Sequence, residues 1–112
     1  MSYPDNSARS SLQRERQSLI AIEQLLDTVN LRQLTEDNIY RLENDLRRII
    51  VEIREAPIEY FESKEAVLAN LRKASDQLNT SLELSGKKGK TIRFYEALRK
   101  CQAFLEDALR HW

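Results

Sequence analysis

Thr35-Glu36-Asp37-Asn38-Ile39-Tyr40-Arg41-Leu42-Glu43-Asn44-Asp45-Leu46-Arg47-Arg48-Ile49-Ile50-Val51-Glu52-Ile53 is the stretch on which the fold turns. Its residues Ile39, Leu42, Leu46, Ile49 and Ile53 step by three, four, three and four, the heptad spacing that lines one side of a helix. The other side carries Glu, Asp and Arg, and the pairs Glu43 with Arg47 and Asp45 with Arg48 fall at helical spacing. Exposed pairs of this kind add only about 0.2–0.5 kcal/mol each, so they solvate the helix rather than specify it. Thr35 is placed to cap the helix, and Glu36 and Asp37 complement the positive end of its dipole. Ala56-Pro57 ends the pattern, because proline lacks the amide donor and pushes its predecessor out of helical angles.

The same periodicity extends in both directions. Upstream, Leu12, Leu19, Ile22, Leu26 and Val29 recur at sevens, threes and fours from about Ser10, widened by Ile20 and Leu25, and predict a first helix. Residues 1–9 have little apolar content, and a mobile arm is expected there, with residues 10–112 as one domain. Asn30 to Leu34 reads as a connection. Downstream of the proline, Ser63-Lys64-Glu65-Ala66 has the form of a cap leading into Val67, Leu68, Leu71, Ala74, Leu78 and Leu82. Ser85-Gly86-Lys87-Lys88-Gly89-Lys90 holds both glycines and predicts a loop, after which Thr91 caps a last helix. There the stripe is Ile92, Tyr95, Leu98, Leu105, Leu109 and Trp112, widened by Phe94, Cys101, Phe104 and Ala108. Four amphipathic helices with short connections predict an all-α fold, a small antiparallel four-helix bundle.

Composition restricts the function classes. In 112 residues there are 18 Lys and Arg against 18 Asp and Glu, with 2 Gly, 2 Pro and 1 Cys. A single cysteine makes neither an internal disulfide nor a thiolate metal cage, which fits a reducing, cytoplasmic setting. No apolar run approaches the roughly 18–20 residues of a spanning helix, and the polar start Met1-Ser2-Tyr3-Pro4 does not resemble a signal peptide. With charges balanced overall, attraction to an anionic partner must come from local asymmetry. Such asymmetry exists between Lys87 and Trp112, where seven basic residues face Glu96, Glu106 and Asp107.

The candidate sites follow from these features. Gly89-Lys90-Thr91 ends like a phosphate-binding loop, but Leu84 stands where the first glycine of that motif belongs and a helix precedes it instead of a strand, so a solvated turn is expected. His111 is the lone histidine and sits next to the terminal residue of the sequence, and Cys101 falls within an apolar stripe as a small buried hydrophobe. Glu52, Glu55, Glu59, Glu62 and Glu65 lack the Glu-x-x-His pairs of a helical di-metal site and read as a solvated face. Neither catalysis, nor a cofactor, nor a small-molecule substrate is expected. Tyr60 and Phe61, beside Pro57, and Trp112 either plug the end of the bundle or anchor a partner, and they are the candidate partner-binding residues of a non-catalytic adaptor or regulatory subunit. Wide apolar stripes also make self-association an expectation. The alternative is a helical accessory subunit that grips an RNA or DNA backbone through Lys87, Lys88, Lys90, Arg93 and Lys100.

Overall fold

The structure is a computed structural model that describes residues 3–27, 31–57 and 61–112, with side chains from Ser10 onward except that of Lys88. Among these residues it is built from helices alone: α1 (Tyr3–Leu25), α2 (Glu36–Glu55), α3 (Lys64–Lys88) and α4 (Ile92–His111). Consecutive helices pack against each other and α1 closes the ring against α4, the up-down-up-down order that short connections favour. The α3–α4 contact is the most extensive and those of α1 are the slightest.

Thr35 and Thr91 cap their helices as expected: the Asn38 amide donates to Thr35 Oγ1 at 3.1 Å and the Phe94 amide to Thr91 Oγ1 at 3.4 Å. Each bond satisfies an amide that the first turn would otherwise leave without an acceptor. At Ala56 the chain turns extended (φ −66, ψ 142), as Pro57 requires. Lys64, nearly buried, donates from Nζ to the Ala56 carbonyl at 2.6 Å and so fastens the end of α2 to the start of α3. At the other end, Lys90 Nζ donates to the Leu34 carbonyl at 2.6 Å, placing the start of α4 beside the start of α2.

Several boundaries depart from the sequence expectation. Helix α1 begins at Tyr3, not near Ser10. Pro4 is tolerated because it lies in the first turn, where its missing N–H costs no helical bond. The Ser85–Lys90 loop contracts, since α3 continues through Gly86 to Lys88 and ends at Gly89 with φ 75 and ψ −158. One glycine inside a helix costs only about 1 kcal/mol, whereas a left-handed φ is the conformation that needs glycine. Ser63 stands at the start of α3 without capping it, because its hydroxyl donates to the His111 carbonyl at the end of α4.

The core follows the α2 seam. Ile39, Leu46, Ile49 and Ile53 are fully buried and Leu42 nearly so, each large aliphatic contributing roughly 1.5–3 kcal/mol. Around them lie Leu19 of α1 and Leu26 just after it, Leu68, Leu71 and Leu78 of α3, and Phe94, Leu98 and Leu105 of α4. Leu31 and Leu34 in the first connection close one end. Phe61 and Trp112, with ring centroids 4.8 Å apart, cover the other.

The molecule is a rod of 55 × 21 × 20 Å with a radius of gyration of 14.9 Å, against about 13 Å for a globular chain of this length. Its longest helix spans about 37 Å at 1.5 Å per residue, so the helices are offset along the axis. The offset leaves hollows near both ends of the rod.

Candidate functional site

The aromatic candidates fall into two groups. Tyr60 lies outside the described residues. Phe61 is buried and packed on the half-buried Trp112, so in this fold Phe61 is a core residue, not an exposed anchor; bundle ends need covering as faces do. Among the basic candidates, Lys87, Arg93 and Lys100 are exposed and form no ion pair with another described residue. Lys90 already spends its ammonium on the Leu34 carbonyl, and the side chain of Lys88 is outside the described set.

A residue assigned by sequence to the core proves to be the most exposed large apolar side chain among the described residues. Ile92 opens α4 and is 78% exposed. The cause is rotation: residues three apart advance by about 300°, so a stripe running Ile92, Tyr95, Leu98 drifts around the helix instead of holding one face. The face that enters the core is Phe94, Ala97, Leu98, Cys101, Leu105 and Ala108, and Ile92 lies opposite to it. Leu25, also expected in a buried stripe, is 46% exposed.

Ile92 stands at the rim of a hollow of about 310 Å³ lined by Leu31, Arg32, Ile92, Tyr95, Glu96 and Arg99. A second hollow, of about 190 Å³, lies between α1 and the end of α2 near the opposite end of the rod. Its apolar side is Leu12, Ala56 and Pro57, and its acidic side is Glu15, Glu52 and Glu55. Glu15 fills the gap in the α1 stripe between Leu12 and Leu19 and is 7% exposed. Its Oε1 lies 3.6 Å from Arg48 Nη1, while its buried Oε2 has no hydrogen-bond partner among the described residues. The expected Asp45–Arg48 pair therefore gives way to a link between helices. The other expected pair forms, with Arg47 Nε and Nη2 donating to Glu43 Oε1 at 2.9 and 2.5 Å, but on a carboxylate that is buried and not on the solvated face.

Two further groups bear on chemistry. Cys101 is fully buried and burial pushes its thiol up to about 12, which leaves it protonated and unreactive at neutral pH. Between α1 and α4, Gln102 Nε2 donates to Glu23 Oε1 at 3.2 Å, and a hydrogen bond with Glu23 raises the pKa of Glu106 above its ordinary value. Among the described residues no three His, Cys, Asp or Glu side chains converge as metal ligands, and no helix is long and apolar enough to cross a membrane.

Sequence reasoning missed Ile92 and Glu15. A strict helical projection would have flagged both, since it turns Ile92 away from the α4 stripe and sets Glu15 inside the α1 stripe, three residues after Leu12 and four before Leu19. No protein-family model matches the chain, and neither a curated protein nor a solved structure is significantly similar to it.

Proposed function

We propose that the chain is a cytoplasmic, non-catalytic interaction module, an adaptor or regulatory subunit that binds protein through its helical surface. The observation that carries this reading is Ile92, a large aliphatic side chain 78% exposed beside a hollow with an apolar wall and the cations Arg32 and Arg99. Exposing such a residue gains nothing for the fold, and apolar surface rimmed by polar groups is the usual composition of a contact site. The hollow, of about 310 Å³, is partly open to solvent, and Ile92 at its rim is available to a partner's surface.

The test is a side-by-side capture with wild type and Ile92→Asp. Because Ile92 is 78% exposed, the variant keeps its circular dichroism and melting temperature, and partners bound by wild type are lost. Equal capture by both proteins overturns the assignment of this face.

A second reading is favoured by Lys87, Arg93 and Lys100, which are exposed and unpaired among the described residues. In it, the start of α4 holds a nucleic-acid backbone. Oligonucleotide anisotropy at about 50 and about 200 mM salt separates the two, since a contact to several phosphates loses orders of magnitude over that interval.

A further inference from the structure

Near the opposite ends of the rod lie two features of complementary polarity and charge. At one end Ile92 projects from the first turn of α4 with Arg93 beside it and Arg32, Glu96 and Arg99 around it, three cations against one carboxylate, and neither Arg93 nor Arg99 is in an ion pair with a described residue. At the other is the hollow of about 190 Å³ with Leu12, Ala56 and Pro57 on its apolar side and Glu15, Glu52 and Glu55 on its acidic side. Glu52 and Glu55 are exposed and likewise unpaired among the described residues. The buried Glu15 Oε2 without a hydrogen-bond partner is a standing cost of about 1–3 kcal/mol that an arriving donor would relieve.

From this complementarity we infer that the occupant of the acidic hollow is the Ile92 knob of a second copy of this chain. The inference rests on the interaction-module reading and names one partner for it. The two features cannot meet within one molecule. Lys90 ties the start of α4 to the start of α2, and the hollow lies at the end of α2, about 28 Å away along a helix of 20 residues. Knob and hollow are different surfaces, so one knob-to-hollow contact leaves the other knob and the other hollow of a pair open, and further copies add there head to tail. Ile92 inserts between Leu12, Ala56 and Pro57, while Arg93 and Arg99 approach Glu52 and Glu55. A contact of one knob in one small hollow belongs to the weak class, with dissociation constants on the order of 10–100 μM, and its rim charges make it sensitive to salt.

Sedimentation velocity of the whole chain, from about 10 μM to about 1 mM at low and high salt, tests this. The expected result is a weight-average mass that keeps rising past dimer with concentration and falls back as salt is added. Ile92→Asp, the head variant Arg93→Glu with Arg99→Glu, and the tail variant Glu52→Arg with Glu55→Arg each associate at least about tenfold more weakly, one decade being about 1.4 kcal/mol. These substitutions are at exposed positions outside the core, and circular dichroism of each variant verifies the fold. Mixing the head and tail variants restores association, because the reversed charges match again. A wild type that stays monomeric at about 1 mM, an assembly that stops at dimer, or a mixture that does not recover overturns the inference. If wild type is monomeric yet Ile92→Asp still loses an outside partner, only the head-to-tail contact has failed and the interaction-module reading stands.

Discussion

The α3–α4 hairpin and helix α1 are held by different means. Across the hairpin, buried leucines, Phe94, Cys101 and the small residues Ala74, Ala97 and Ala108 pack face to face, and Lys73 lies 5.8 Å above the Phe104 ring. Helix α1 buries three large aliphatics, Leu12, Leu19 and Ile22, with Leu26 just past its end, but interrupts them with Glu15. Its remaining links are polar and partly wet: Glu15 to Arg48, and Glu23 to Gln102 and Glu106. A three-residue connection, Gly89 to Thr91, also brings α3 and α4 together at small entropic cost, whereas α1 must dock against the far end of the chain. The same chain thus contains a tightly packed hairpin and a helix that is easier to release.

The sharpest test of this difference is truncation in each region. Leu71→Ala in α3 and Leu98→Ala in α4 remove fully buried side chains and are expected to cost about 3–5 kcal/mol in urea unfolding. Leu12→Ala, at the margin of the core, costs about 2 kcal/mol or less, and equal losses at the three positions would erase the distinction. Next in size is Glu15→Leu. It removes a buried carboxylate with an unmet oxygen and releases an exposed arginine to solvent, so stability rises by about 1 kcal/mol or stays level. A clear loss of stability would show that Glu15 fastens α1 more firmly than its geometry implies.

Thr35→Ala deletes the cap of α2 and lowers stability by about 1 kcal/mol. Thr91→Ala, with its longer bond at 3.4 Å, lowers it by less, read from the same denaturant midpoints. Native-state hydrogen exchange ranks the helices directly: amides of α1 exchange through smaller openings than those of α3 and α4, and uniform protection would contradict the picture.

The smallest effect is in pH. The hydrogen bond with Glu23 raises the pKa of Glu106 in the folded chain. That contribution is complete below the ordinary glutamate value of 4.5 and is lost as pH rises through the higher folded value. Glu106→Gln keeps a donor at every pH. Wild type and variant should therefore match in acid, while at neutral pH the variant is slightly the more stable, as paired melts at both conditions would reveal.

Local chemistry made much of this legible in advance. The α2 seam, the Thr35 and Thr91 caps and the break at Ala56-Pro57 each depend on residues within about one turn of each other, and each was readable from spacing and residue type. Gly86 and Gly89 show where such reading stops. Both carry the same local signal, yet α3 runs on through Gly86 and ends at Gly89, and of the two only Gly89 takes the positive φ. Phe61 and Trp112 were ambiguous between plug and anchor for a similar reason, since an aromatic residue near a break serves either use until the opposite ring is placed.

The sequence by itself determined that this chain is helical, roughly where each helix runs, and which face of α2 is apolar, since these follow from contacts between residues at most four apart. The tertiary structure decided how far each helix turns its apolar stripe inward, leaving Ile92 78% exposed and Glu15 7% exposed against Arg48, and where along the rod the two hollows lie. A helix can turn about its axis or slide along it without changing any internal hydrogen bond. Rotation and offset are therefore fixed only when all four apolar faces are packed at once.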